Sequence, residues 1–475
     1  MSQHHHRGDN LQECKVVLAL VPFPAQGHLN QLLHLARLLS SYNIPIHFLG
    51  TNTHVKQSKI RVHGWEPHSN PNIHFHEFQT PHFSCPPPNP NSTTKFPSHL
   101  QPSFNAATLL RHPTTSLLRQ ISATANRLIV IHDSLMGTVV QDIVRIPNAE
   151  CYAFHSVSAF SVFLYLWERN GRPFTIEDDI IKEIPSLEGC FTSEFVKFIN
   201  SQFDLSKFSS GRILNTSKAI EGPYIDFLAK DELSEKKKQW AIGPFNPIVI
   251  NRHHNQNQNQ KNKSYNISLK WLDEQAPNSV IFVSFGTTTS FTDEQINQIA
   301  IGLEQSGQRF IWVLRDADKG DVFDGNVRRA NLPKGYEERI EGQGIVVRDW
   351  APQLEILAHF ATGGFISHCG WNSCIESITC GVPILAWPIH SDQPRNTVLL
   401  TNFLKIGFVV RDWNRAGEIV AAEAVERGVR RLMASEEGSE VRRRAAELGG
   451  AVRISVAEGG SSRVELDSFI AHIIR

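Results

Sequence analysis

One stretch holds most of the residues that could do chemistry together. From Trp350 to Gln393 the chain reads WAPQLEILAHFATGGFISHCGWNSCIESITCGVPILAWPIHSDQ. Trp350-Ala-Pro-Gln353 sets a flat indole beside an amide, and Pro352 pins the backbone between them. An indole stacks on the face of a base while an amide pairs with its edge. Gly363 to Ser367 reads as a buried strand, and His368-Cys-Gly-Trp-Asn-Ser373 as the turn into a helix that Gly381-Val-Pro383 stops. Such a turn aims free backbone N–H groups and the positive end of the helix dipole at an anion. His368, Asn372 and Ser373 add donors, and Glu376, one turn further on, can accept from a ribose diol. Asp392 and Gln393 follow the next strand, with the acceptors and donors that sugar hydroxyls require.

The same residues carry plainer readings. Ser373-x-x-Glu376 is also a capping box. Trp371 taken alone reads as core, and His368 taken alone as a hydrogen-bonded loop histidine. In the first half His28 follows a strand and a Pro-Phe-Pro-Ala-Gln-Gly turn, and Asp133 ends a later strand. A hydroxyl nucleophile needs a base at neutral pH, histidine has the matching free pKa, and an aspartate can hold its second ring nitrogen. Plain helix-start and strand-end roles also fit His28 and Asp133.

Read together, the 44 residues resemble the signature box of the plant secondary-product glycosyltransferases, which use UDP-sugars. The box opens Trp-Ala-Pro-Gln, closes Asp-Gln and contains no gap. The resemblance implies a GT-B fold, with two facing Rossmann-like α/β domains and a cleft between them. It implies that Trp350 stacks on uracil while Ala351 and Gln353 hold its edge. His368, Asn372 and Ser373 would bind the diphosphate with Thr287 in support, Glu376 the ribose, and Trp371, Asp392 and Gln393 the sugar. His28 would be the general base and Asp133 its partner. Glutamine at position 393 is linked in the family with glucose, which makes UDP-glucose the expected co-substrate and leaves UDP-xylose open. Val21-Pro-Phe-Pro-Ala-Gln-Gly-His28, Ile131-His-Asp-Ser-Leu135 and Trp312-Val-Leu-Arg-Asp-Ala-Asp-Lys-Gly-Asp321 look like the zeatin O-glycosyltransferase subgroup. That implies a small lipophilic acceptor, a cytokinin side-chain hydroxyl or a flavonoid or other phenol.

The elements that must position these residues are legible in outline. Lys15 to Val21, the glycine turn, an apolar helical repeat from Leu29 to Leu39, and Pro45 to Leu49 form a βαβ unit with a parallel sheet. Ligands in such sheets sit beyond the carboxyl ends of the strands, where His28 and Asp133 fall, as do His155 and Ser156 after Glu150 to Phe154. The Asn/Gln-rich stretch around residues 251–263 cannot bury a core and reads as a disordered linker. A second strand–helix half restarts near Leu269, with Val280 to Phe285 leading into Gly286-Thr-Thr-Thr289. The expected domains are therefore 1–248 for the acceptor, 267–458 for the UDP-sugar and a linker at 249–266, and the resemblance implies that a last helix in 459–475 crosses back onto the first domain. Acceptor contacts are expected from loops 81–102 and 180–200.

Composition sets the bounds. The chain has 475 residues, 41% hydrophobic and 20% charged, with 47 basic against 47 acidic. Zero net charge argues against nucleic acid or an anionic membrane as partner, and there is no apolar run long enough to span a bilayer. The leader from Met1 to Asn10, with His4, His5 and His6, is polar and unlike a signal peptide. Seven cysteines without regular spacing fit a reducing compartment, so a monomeric cytoplasmic protein is expected. No G-x-G-x-x-G follows the first strand, which argues against a dinucleotide oxidoreductase. Asp316-Ala-Asp318 has the spelling of a metal-binding pair but follows a strand inside Arg-Asp-Ala-Asp-Lys-Gly; the family resemblance implies a structural or loop role there, and no metal is expected. A nucleotide-sugar binding protein without turnover is the non-enzyme alternative; His28 and Asp133 count against it.

Overall fold

The computed structural model describes residues 16–62, 64–81, 83–176, 182, 184–234, 236–248, 263–324 and 328–475. The histidine-bearing leader and residues 249–262 of the expected linker lie outside the described residues.

Seven parallel strands build the first sheet: β1 (Val16–Val21), β2 (Ile46–Thr51), β3 (Ile73–Phe78), β4 (Arg127–Asp133), β5 (Ala149–His155), β6 (Gly211–Leu214) and β7 (Lys238–Ala241), in the order β3-β2-β1-β4-β5-β6-β7. Six more build the second: β8 (Val280–Ser284), β9 (Arg309–Val313), β10 (Gly344–Val347), β11 (Thr362–Ser367), β12 (Ile384–Ala386) and β13 (Gly407–Val409), in the order β10-β9-β8-β11-β12-β13. The central strands are buried on both faces, which is why they read as continuous apolar runs. Leu18 and Leu20 of β1 enter one core while Val17, Ala19 and Val21 enter the other. Val280 and Phe282 of β8 are likewise divided from Ile281 and Val283.

The helices used below are α1 (Gln26–Ser40), α2 (Asn52–Arg61), α3 (Ala159–Arg169), α4 (Ser193–Leu205), α5 (Lys263–Asp273), α6 (Trp371–Cys380), α7 (Gln393–Val398) and α8 (Ser461–Ile473). The last helix packs on the first sheet: Phe469 meets Tyr152 and Trp240 edge-on, at 5.5 and 5.2 Å between ring centroids. Arg127 of β4 donates to the carbonyl of Ile473 at 3.0 Å.

Several boundaries differ from the sequence reading. Residues 263–266, assigned to the linker, already belong to α5; the apolar spacing of Leu269 and Leu272 sustains that helix, and polar composition masked its start. The 81–102 loop ends early, in helical turns from Ser98 onward. The end of the 180–200 segment, from Ser193 onward, is α4 rather than loop. Strands β3, β6, β7 and β13 escaped notice because they are short or at the sheet's outer part, where the Ile-His-Phe-His-Glu-Phe pattern of β3 dilutes the apolar signal.

Candidate active site

Strand order explains where the site lies. In the first sheet β1 and β4 are neighbours, and their connections leave in opposite directions; β8 and β11 repeat this in the second. A crevice opens beyond the strand ends at each such switch point. His28 follows β1 and Asp133 ends β4. Gly286 and Thr287 follow β8, and His368 follows β11. The two crevices face each other and merge into one cleft of about 520 Å³. Of the residues singled out in the sequence, His28, Thr287, Trp350, Ala351, Gln353, His368, Trp371, Asn372, Ser373, Glu376, Asp392 and Gln393 all line it. Asp133 does not; it is fully buried behind His28.

On the N-terminal wall, His28 sits in the first turn of α1, and its Nδ1 lies 2.7 Å from Asp133 Oδ2. The other carboxyl oxygen of Asp133 accepts from the Leu135 amide at 2.9 Å, capping a short helical turn. The strand-end cap and the histidine partner are thus one residue in both roles. A carboxylate on Nδ1 holds the tautomer that leaves Nε2 able to accept a proton. Ser156, noted in the sequence only as a strand exit, places Oγ 2.9 Å from Nδ1 and 3.4 Å from Nε2. Its strand lies next to β4 in register, with Asp133 paired to Phe154; that shared exit is the signal that could have found it.

On the C-terminal wall, α6 starts at Trp371 with Gly370 as its N-cap, and no side chain caps it. Ser373 is therefore inside the helix, and the capping-box reading does not hold. Glu376 instead accepts from Asn372 at 2.9 Å and from Gln353 at 2.8 Å, and Gln353 also reaches Ser373 Oγ at 3.0 Å. Burial pushes the Glu376 carboxyl up to about 7, partly offset by these two amides. His368 is enclosed, and burial holds its pKa down at about 4, so the ring is neutral and can donate without adding charge. Its Nε2 would lie 2.6 Å from a Cβ at Gly286 and 2.5 Å from one at Gly370. Glycine at both positions is what lets the imidazole in. Cys369 and Ser391, each next to a site residue, hold positive φ of 63° and 59°, a local strain that functional turns often store.

The residues expected to meet the sugar are more committed than their types imply. Gln393 Oε1 accepts from the amides of Ile389 and His390 at 2.8 and 2.9 Å, so its amide offers the cleft a donor, not an acceptor. Asp392 accepts from Asn396 at 2.7 Å, and burial raises its pKa. Trp371 spends its indole N–H on the carbonyl of Asn215 across the domain boundary at 2.9 Å, so what it can offer the cleft is backbone. Asn215 in turn donates to Gln31, and Gln31 to the Ser156 carbonyl, each at 2.9 Å. This buried chain, unseen in the sequence, ties α6 to the neighbourhood of His28.

Much of the remaining lining is apolar and includes Phe23, Phe96, Phe104, Phe191, Phe195 and Phe203. Asp318 pairs with Arg61 at 2.6 Å and Arg315 at 3.0 Å, and Asp316 pairs with Ser290. Both carboxylates of that Asp-x-Asp sequence are engaged by protein. Among the described residues no group of three or more histidine, cysteine or acidic side chains is arranged to hold a metal, and no helix is long and apolar enough to cross a membrane.

Two family models match the chain: a glycosyltransferase N-terminal domain over residues 14–247, and UDP-glucoronosyl and UDP-glucosyl transferase over residues 221–426. Zeatin O-glucosyltransferase of Phaseolus lunatus is 54% identical, with 97% of each chain covered. Zeatin O-xylosyltransferase of Phaseolus vulgaris is 50% identical, covering 98% of this chain and 99% of the relative. Among solved structures, a UGT transferase from Siraitia grosvenorii in complex with UDP is 28% identical with a TM-score of 0.73, over 97% of this chain and 100% of that one. Medicago truncatula UGT71G1 complexed with UDP-glucose is 27% identical with a TM-score of 0.72, over 98% and 100%.

Two facing parallel-sheet domains with this cleft make a GT-B glycosyltransferase fold. The chain belongs to the plant UDP-dependent glycosyltransferase family, beside the zeatin O-glycosyltransferases. It is an enzyme that uses a UDP-sugar as co-substrate and acts on small plant metabolites.

Proposed function

We propose that the protein transfers glucose from UDP-glucose to a hydroxyl of a zeatin-type cytokinin, with inversion at the anomeric carbon and without a metal ion. The observation that carries this reading is the His28–Asp133 pair on one wall of the cleft, opposite the uncapped start of α6 on the other. His28 Nε2 takes the acceptor's proton. The acceptor oxygen forms a bond to the anomeric carbon, the bond from that carbon to the diphosphate oxygen breaks, and UDP leaves from the opposite face. Backbone N–H groups of the first turn of α6, with His368 and Thr287, meet the charge on the leaving diphosphate. The commitment of Asp316 and Asp318 to protein partners supports metal independence. Trp350 stacks on uracil, Ala351 and Gln353 hold its edge, and Glu376 takes the ribose hydroxyls. The phenylalanine wall suits a flat lipophilic acceptor.

The high identity to a zeatin O-xylosyltransferase favours UDP-xylose as a second donor. Xylose lacks the C6 hydroxymethyl but keeps the ring hydroxyls that Asp392 and Gln393 would hold. Competition among UDP-glucose, UDP-xylose and UDP-galactose, tested with zeatin isomers and a flavonoid panel, decides the matter. UDP-glucose is expected to lead and UDP-xylose to follow. UDP-galactose should trail by one to two orders of magnitude, since an unpaired buried hydroxyl costs about 1–3 kcal/mol. A preference for UDP-galactose would remove Asp392 and Gln393 from their roles, and turnover of flavonoids alone would move the acceptor class.

A further inference from the structure

The Arg-Asp-Ala-Asp-Lys-Gly-Asp segment at 315–321 plays no part in the mechanism, yet the N-terminal domain grips it at several points. Arg61, the last residue of α2, donates both terminal nitrogens to Asp318, at 2.6 and 3.1 Å. His99 Nε2 lies 2.8 Å from the Asp318 carbonyl oxygen, and Thr53 Oγ1 donates to Asp321 at 3.3 Å. A Cβ at Gly320 would collide with Cys85 Sγ at 2.3 Å, so this glycine lets the two domains close on each other. Arg61 is buried and is held further by Gln26 Oε1 at 3.2 Å. A buried guanidinium is costly unless it is paired, and here Asp318 pairs it.

The guanidinium of Arg61 lies over the indole of Trp350, with Cζ 4.6 Å from the ring centroid. Trp350 and Arg315 line the cleft, and Arg61 does not. Arg315, which shares Asp318 with Arg61, lies over the same ring at 5.3 Å, so two guanidinium groups on one carboxylate bear on the indole. Trp350 lies on the irregular segment between β10 and α6 and is only half-buried, and a cation against one face restricts such a ring.

We propose that Arg61 is a positioning residue for the nucleotide base: the N-terminal domain holds the base platform of the C-terminal domain through Arg61, and Asp318 holds Arg61. This rests on the reading of Trp350 as the uracil platform. It makes base binding depend on contact between the domains, whereas diphosphate binding at α6 does not depend on Arg61.

A double-mutant cycle read by calorimetry tests this, with UDP and inorganic pyrophosphate as probes. Arg61→Leu should weaken UDP about 5–20-fold, the range of a desolvated cation–π contact, and change pyrophosphate affinity less than about twofold. Arg61→Lys should recover part of the loss. In a Trp350→Leu background, adding Arg61→Leu should change UDP affinity little. Additive losses in the double variant, or equal weakening of UDP and pyrophosphate, would overturn the proposal. If Arg61→Leu does not fold, Asp318→Asn carries the same cycle with the same expectations. Wild-type UDP affinity in Trp350→Leu alone would overturn the platform reading itself, a distinguishable failure.

Discussion

Asp133 serves two neighbours at once, with one oxygen on the Leu135 amide and the other on His28. Asn at this position can keep one of these bonds but not the charge that stabilises an imidazolium. Asp133→Asn should therefore lower kcat about 10–100-fold, less than removal of the base itself; initial rates at saturating substrate measure it. Glu376 gives the site a pH dependence. Its pKa is raised to about 7 by burial, so it gains charge as pH rises through 7. Ribose hydroxyls donate better to a carboxylate than to a carboxylic acid, so UDP-glucose affinity should rise from pH 6 to 8. Glu376→Gln should flatten that slope in a titration. The same shift has an opposite effect on stability. The folded state keeps the proton between the ordinary value of 4.5 and about 7, so this group's contribution to stability falls as pH rises across that window.

The decisive element is α6, whose first turn carries no side-chain cap. In the proposed mechanism its N–H groups and dipole take the place of a cation, and turnover should then persist in EDTA. Loss in chelator that magnesium restores would contradict this. The element also depends on its glycines. Gly370→Ala would drive a Cβ to within 2.5 Å of His368 Nε2, and a displaced donor of this kind should cost about 10–100-fold in kcat/KM for UDP-glucose. Legibility in the sequence follows the same lines. The βαβ unit and the strand ends at His28, Asp133 and His368 could be read because buried parallel strands are continuous apolar runs closed by glycine turns. The direction in which Gln393 and Trp371 spend their polar groups could not. Each partner, the Ile389 and His390 amides or the Asn215 carbonyl, is backbone, which sequence pattern does not mark. Ser156 and Arg61 were hidden for a related reason: each meets its target over a long sequence separation.

At the scale of the whole molecule, the cleft exists because the two domains are held in register. Besides the chain from Trp371 through Asn215 and Gln31 to Ser156, Arg395 of α7 reaches Glu168 of α3 through two contacts at 2.8 and 2.6 Å. Arg395 is almost wholly buried. Glu168→Gln would take away the carboxylate bound to that guanidinium, leaving Asp392 as the nearby charge, and should cost about 3 kcal/mol, seen as a lower denaturation midpoint. The proposed function divides the labour along the same architecture, with proton transfer on the N-terminal wall and the UDP contacts on the C-terminal wall. His28→Ala, assayed for both UDP binding by calorimetry and glucosyl transfer at saturating substrates, tests this division most directly. The account predicts UDP affinity within about twofold of wild type and a rate lowered by about 10²–10⁴, the usual contribution of a general base. Wild-type turnover, or a loss of UDP binding to match the loss of rate, would contradict it.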